Sequence, residues 1–286
     1  MTRFARRKGQ GCRFVGPSVH CVTWALVSWG IFGCGTSSMV ENEGPGEDPP
    51  ECSSVARSAE SARLFLTFEE KDEDAFVDVS PDGRRGITAG TVARVEGRCG
   101  WGASFDGSES WIEVPDDPVL DGSAGFTQEM WMRLDAWAEV SKPVQKQNPE
   151  TFIEFAYGIL VANDGGFVTL DLPGCRVVGT EGMIGLGRWI HIAAVWDPSD
   201  ESGRLYVDGR LDSSNITPCE GPYAGAGWPL VIGGVRNCYD VWFPFPGAVD
   251  NVAFFDHPRT AEQVCADSLG TWDGSTCARP AGEGAP

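Results

Sequence analysis

Carboxylates are the first candidates for chemistry in this chain. Cleavage of a glycosidic bond by paired acids needs two carboxyl groups about 5–5.5 Å apart in a retaining mechanism. Glu150 and Glu154 stand at an even spacing that puts both on one face of a strand. Glu150 precedes the apolar run, however, and no Asp lies between the two. The run Glu69-Glu70-Lys71-Asp72-Glu73-Asp74 is too charged for a strand and reads as a solvated loop. Nucleophilic catalysis has less to draw on, since no Gly-x-Ser-x-Gly occurs. Of the three histidines, His20 lies in an N-terminal apolar segment, His191 in a core-like run and His257 before a proline. No Cys-x-x-Cys is present, which argues against zinc and dithiol redox sites. These residues predict a protein without enzymatic activity, with a glycosidase using Glu154 as the third-ranked reading.

The elements that would hold such groups are strands. Residues 189–196 are apolar on both alternating faces except at His191, the pattern of a central strand covered on both sides. Asp197, Pro198, Ser199, Asp200 and Gly203 supply turn chemistry, and Leu205-Tyr206-Val207 returns to a second turn at Asp208-Gly209. His191 is therefore expected as a core residue. Leu64, Leu66 and Phe68 alternate, and Phe126, Met130, Met132 and Leu134 share one face opposite Glu129, Trp131 and Arg133. Residues 138–150 are polar, contain two prolines and read as a long connecting loop. Short strands are expected near 152–156, 158–163 and 166–171, at Leu230–Gly233 and over 247–258. One helix stands out, Thr260 to Leu269, with Thr260 and Gln263 at capping-box positions. With 37 Gly, 19 Pro and few helical runs, the chain reads as all-β.

The ends differ in character. Residues 1–33 carry five basic residues, no acid and an apolar run from Cys21 to Phe32, as an export signal does. The segment Ile31-Phe32-Gly33-Cys34 resembles a bacterial lipobox, which implies lipidation at Cys34; secretion and a retained anchor are the alternatives. Residues 34–60 are rich in Gly, Pro, Ser and acid and read as a tether. The folded domain is expected over 61–270, with a tail at 271–286. The net charge of −19 repels nucleic acid and anionic lipid, so neither is expected as a partner. Seven cysteines follow Cys34, an odd number that leaves at least one outside an internal pair. Proximity in the chain suggests Cys219–Cys238 and Cys265–Cys277, and cysteine usage suggests an oxidising compartment. The localisation expected is the bacterial cell envelope, lipid-anchored at the outer membrane, or secreted.

In order along the chain, these pieces resemble the laminin-G-like jelly-roll family of the concanavalin-A-like lectin/glucanase group. Leu64-x-Leu66-x-Phe68 matches its first strand and Asp78 to Gly83 an early turn. Gly97-Arg98-Cys99-Gly100-Trp101 matches the glycine-rich lead into Phe105-Asp106-Gly107. Phe126 to Trp131, Arg188 to Ala193, Leu205 to Gly209 and Gly247 to Val252 match later strands. The resemblance implies a two-sheet antiparallel jelly-roll sandwich with one short C-terminal helix. The Glu-x-Asp-x-x-Glu strand of laminarinase-like hydrolases is absent.

The resemblance also implies a binding role toward glycan or another surface molecule, a protein partner included. It implies a structural calcium between the loop after the first strand and the last strand, which falls on Glu69 and Asp250. Asp106 and Asp208, each before glycine, read as turn formers. Trp131 matches a family strand position and stands either as a packed residue or on a concave binding face. Trp242, in a Pro/Gly-rich stretch with Trp228, Tyr239 and Phe243, stands either as a ligand-binding aromatic or as a loop anchor.

Overall fold

The computed structural model describes residues 52, 58–72, 74–148, 154–162, 166–215, 218–222, 227–236 and 242–279. The first strands are β1 (Leu64–Asp72), β2 (Ala75–Asp78), β3 (Arg85–Ala89), β4 (Val92–Glu96) and β5 (Trp101–Asp106). The middle of the chain forms β6 (Trp111–Val114), β7 (Phe126–Leu134), β8 (Val140–Gln147), β9 (Phe155–Ala162), β10 (Phe167–Leu172) and β11 (Cys175–Val178). The hairpin follows as β12 (Trp189–Asp197), β13 (Ser202–Val207) and β14 (Arg210–Ser214). Then come β15 (Leu230–Ile232), β16 (Gly234–Arg236), β17 (Trp242–Pro244) and β18 (Pro246–Phe255). Helix α1 (Ala261–Asp267) and a small ribbon, β19 (Thr271–Trp272) with β20 (Cys277–Ala278), complete the order. Thr260 and Gln263 form the expected capping box.

Among the described residues the fold is all-β apart from this helix and short 3-10 turns. The main sheet is hydrogen-bonded in the order β11-β10-β9-β8-β15-β6-β3-β2-β1-β18-β7-β12-β13-β14, with the β4–β5 hairpin attached to β18. The sequence predicts two stacked sheets; the hydrogen-bonded path is continuous, and its end strands β10 and β11 approach β13 and β14. Gly203 permits this approach, because a Cβ there would meet Val177 at 2.8 Å. Apolar alternate residues fill the space between. Phe126, Tyr157 and Phe254 stack with ring centroids 4.5–5.8 Å apart, and the Tyr157 hydroxyl donates to the Leu120 carbonyl.

The stretch expected as a loop over 138–150 contains β8 instead. Its polar residues masked the strand. Lys146 is fully buried, yet its ammonium donates to Asp116 at 2.7 Å and to the Trp228 carbonyl at 2.6 Å. A buried charge with such partners is tolerated where a lone one is not. Pro143 falls where the β8–β9 register shifts, and a bulge accommodates its missing N–H.

Acidic residues do much of the turn making. Asp78, Asp106, Asp197 and Asp273 each accept from both the backbone N–H and the hydroxyl of the serine two residues later. These side chains satisfy backbone donors that a turn would otherwise leave unpaired. Asp208 and Gly209 both take positive φ, 47° and 75°, as the expected hairpin turn requires.

Removing one ring of the aromatic cluster tests this packing. Phe254→Ala is expected to cost about 3–5 kcal/mol, read from the shift in urea midpoint at constant slope.

Candidate functional site

The acids assigned to calcium meet at one loop. β18 shifts register between Asp250 and Ala253, and Asn251 there takes φ 49°. Asp250 is buried at this bulge, and its Oδ2 accepts from the N–H groups of Arg98 and Cys99 at 2.8 Å each. Glu69, on β1, accepts from the Trp101 N–H at 2.7 Å in the same loop. Burial holds the Asp250 carboxyl well above the usual carboxylate range; the Cys99 and Arg98 N–H groups oppose that, and the Glu69 charge adds to it. Asp250 Oδ1 has no hydrogen-bond partner. Calcium takes six to eight oxygens. The two carboxylates fit a fraction of such a shell, and Asp250 Oδ1 is the acceptor a cation would use. Among the described residues no group of three or more His, Cys, Asp or Glu suits a metal, so carbonyls and solvent would supply the rest.

Trp131 does not line a binding face. It is 1% exposed. The side of β7 opposite the main core is itself roofed by Cys52, Ala59, Ala62 and Leu269, which form a second apolar cluster with Phe65, Ala253 and Phe255. The Arg98 guanidinium lies 4.9 Å from the Trp131 ring centroid, and His191 meets the ring edge-on at 5.4 Å. Alternation along β7 showed two faces but not that both are covered.

Beside Trp131 sits a buried charged cluster. His191 Nε2 is 3.4 Å from Glu129 Oε2, Arg259 is 3.5 Å from Glu129 Oε1, and Arg259 also bonds Asp267. The Ser58 hydroxyl donates to Asp267 at 2.6 Å. Burial raises the Asp267 carboxyl to about 8, with the Glu129 charge adding to it and Arg259 opposing it. Burial also opposes ionisation of Glu129, but Arg259 and His191 outweigh it and hold Glu129 below the usual range. The cavity between these groups is about 10 Å³, room for one water molecule and none for a sugar ring. His191 is buried as expected, but within this outer layer. The cluster fastens α1 and the Ser58 segment to the sheet.

The other half of the sheet carries a different surface. Strand register places Ile87, Glu113, Val231, Gln145, Gly158, Asp171 and Arg176 in one row across seven strands, β3 to β11. Residues directly opposite share a face. The alternate residues Ile112, Leu230, Ile232, Val144 and Ile159 are buried in the main core, so the row faces away from it. Asp171 accepts a two-pronged bond from Arg176, both contacts 2.7 Å. Gln145 Oε1 has no hydrogen-bond partner.

Aromatic rings edge this row. Trp242 is half-buried, with its ring centroid 5.7 Å from that of Trp111 on β6, and its Nε1 has no hydrogen-bond partner among the described residues. Lys142 Nζ lies 4.6 Å from the Phe243 ring centroid. Burial lowers the Lys142 amine to about 8, opposed by the Asp171 charge and aided by that of Arg176. Trp111 and Lys142 were not singled out from sequence. Lys142 lies in the stretch expected as a loop, and for Trp111 the outward alternation of Trp111 and Glu113 against Ile112 and Val114 is the available signal.

Three disulfides join Cys52 to Cys99, Cys175 to Cys219, and Cys265 to Cys277. Cys219 is therefore not joined to Cys238. The turn at β10–β11 brings Cys175 to Cys219 across 44 residues, a contact that chain proximity does not reveal. Cys238, Cys34, Tyr239, Glu150 and residues 1–33 lie outside the described residues. Glu154 accepts from the Asn148 side-chain amide at 2.7 Å. Among the described residues no helix is long and apolar enough to cross a membrane.

Known proteins resemble this architecture. A laminin G-type family model of the concanavalin A-like lectin/glucanases superfamily matches residues 106–265. No curated protein matches the chain. Trypanosoma rangeli sialidase in complex with sialic acid aligns with TM-score 0.57 and 16% identity, over 73% of this chain and 33% of the sialidase. This chain thus spans about a third of the sialidase's length. Domain 4 of AbnA, a GH43 extracellular arabinanase from Geobacillus stearothermophilus, was solved with arabinotriose. It aligns with TM-score 0.54 and 20% identity, over 73% of this chain and 98% of that domain. The binding domain of botulinum neurotoxin DC in complex with SialylT aligns with TM-score 0.52 and 10% identity, over 73% and 51%. At these identities the likeness is one of fold. The expectation that the chain has no enzymatic activity is corrected here: the fold occurs in glycoside hydrolases, a sialidase and an arabinanase, so it does not set the chain apart from enzymes.

The buried cluster predicts a pH dependence. Asp267, raised in the folded state from 3.8 to about 8, contributes stability that is complete below its unfolded value and lost as pH rises through about 8. Asp250, also raised, acts in the same direction. Glu129, lowered, loses its contribution only as pH falls below 4.5. Thermal midpoints of the wild type are expected to fall between pH 5 and 8, and Asp267→Asn to flatten that slope. Parallel slopes for the two proteins would contradict the assignment.

Proposed function

The chain belongs to the concanavalin A-like lectin/glucanases superfamily, and on that footing we propose that it recognises glycan on the outward face of β6, β15, β8, β9 and β10. The observation that carries this reading is the Trp111–Trp242 pair beside the half-buried Glu113 and the exposed Arg176, in a row whose Gln145 and Asp171 are themselves buried. Sugars present hydroxyls and apolar C–H patches together. Carboxylate and guanidinium groups bond the hydroxyls, and indole rings cover the patches. Gly158 leaves room for the Gln145 side chain, whose Cγ would lie 3.1 Å from a Cβ there. The solved relatives bound to sialic acid, arabinotriose and SialylT support glycan as the ligand class.

The same reading takes the domain as a two-sheet jelly roll, with β18, β7, β12 and β13 on the roofed side and the polar row on the open side. Three disulfides support an oxidising, extracytoplasmic location. Lipidation at Cys34 would place the domain at a membrane surface on the tether that follows. A calcium ion at Asp250 and Glu69 would steady the loop at residues 97–101 rather than touch the glycan.

A glycan array probed with the full chain identifies the ligand, and calorimetry with variants locates it. Trp242→Ala is expected to weaken binding by about 2 kcal/mol, roughly thirtyfold, with an unchanged thermal midpoint. Full affinity in both Trp242→Ala and Trp111→Ala would remove the site from this face. For the metal, calcium is expected to raise the melting temperature of the wild type and not of Asp250→Asn; equal curves with calcium and with chelator would exclude it.

A further inference from the structure

A second recess lies between the β13–β14 turn, α1 and the β19–β20 ribbon. It is an open groove of about 470 Å³, lined by Arg210, Leu211, Ala261, Trp272, Ser275 and Thr276. Leu211 is 57% exposed and Trp272 is half-buried. The two give the groove an apolar wall.

The polar groups of the groove are arranged for a ligand with both charge and hydroxyls. Arg210 donates through Nε to the Cys277 carbonyl at 2.7 Å, which fixes the plane of its guanidinium. No carboxylate among the described residues pairs with its outer nitrogens. Asp208, two residues away, is already held between Arg188 and Arg279. Among the described residues the outer nitrogens of Arg210 therefore stay open to a ligand, while the Asp273 carboxylate of the same groove is taken up by Ser275 and Thr276. Ser275 and Thr276 donate their hydroxyl hydrogens to Asp273 at 2.9 Å each, so their oxygens face a ligand as acceptors. Ligand hydroxyls are the matching donors. The Cys265–Cys277 disulfide and the four bonds to Asp273 hold this floor in place before anything binds.

We infer that this groove is a binding site for a carboxylated sugar, whose carboxylate pairs with the Arg210 fork while its apolar face rests on Trp272 and Leu211. Arginine suits the role because its planar fork meets a carboxylate through two parallel hydrogen bonds. The site is separate from the outward sheet face and stands whether or not that face binds glycan.

The test uses the full chain with sialyllactose and its methyl ester, which differ only in the charge of the carboxyl group. Calorimetry is expected to show the acid binding roughly tenfold tighter than the ester. Arg210→Gln is expected to abolish that preference, and Trp272→Ala to weaken both probes. Trp242→Ala, on the other surface, is expected to leave the preference intact. Leu211→Glu adds a negative charge to an exposed groove position without touching the core, and is expected to reject the acid whatever Arg210→Gln does to folding. Equal affinity for acid and ester in the wild type would overturn the inference. So would a preference that survives both Arg210→Gln and Leu211→Glu, or one that is lost with Trp242.

Discussion

A carboxylate buried at a strand bulge organises the sheet. Asp250 sits where β18 changes neighbours: its first half pairs with β5, its second half with β1, and both halves with β7. The bulge gives β18 the local bend that two successive partners require. The N–H groups of Arg98 and Cys99 bond the Asp250 carboxylate, which ties the β4–β5 hairpin to that bend. Cys99 carries the link onward through its disulfide to Cys52, and so to the segment that roofs Trp131. One buried side chain thereby connects sheet curvature, hairpin position and the cover over one face.

That cover decides where recognition can occur. The outward side of β7 and β12 holds Glu129, Trp131 and His191, which in isolation look like an acid, an aromatic platform and a base. With the Ser58 segment and α1 packed on top, they become a charged seam between layers. Among the described residues the outward side of β6, β15, β8, β9 and β10 carries no second apolar cluster, and with Gln145 and Asp171 buried there, the chemistry it presents to a sugar is that of Glu113, Arg176 and the tryptophan pair. Arrangements of side chains that look alike in sequence thus have opposite roles, set by what lies above them.

Much of the fold was legible in the residues. The hairpin from Arg188 to Gly209, the alternation of β7, the capped helix α1 and the Asp-Gly turns follow from local periodicity and turn chemistry. β8 did not, because its core-facing Lys146 is satisfied by Asp116 and the Trp228 carbonyl, partners far away in sequence. Trp131 stood open between packing and a binding face for a related reason: alternation reports two faces and is silent about the second layer that makes it a packed residue. The Cys175–Cys219 link was invisible because it depends on two chain ends of a sheet meeting. The pairing of Trp111 with Trp242 likewise depends on β15 pairing with β6 and on the β16–β17 ribbon packing against β8.

The central claim is that glycan sits on the polar row and its tryptophan pair. Hydroxyl-radical footprinting of the full chain, with and without saturating glycan, reads this directly through the oxidation rate of each tryptophan. Protection is predicted at Trp111 and Trp242, with Trp101 and Trp189 unchanged. Protection at Trp101 or Trp189 with Trp111 and Trp242 unaffected would contradict the account.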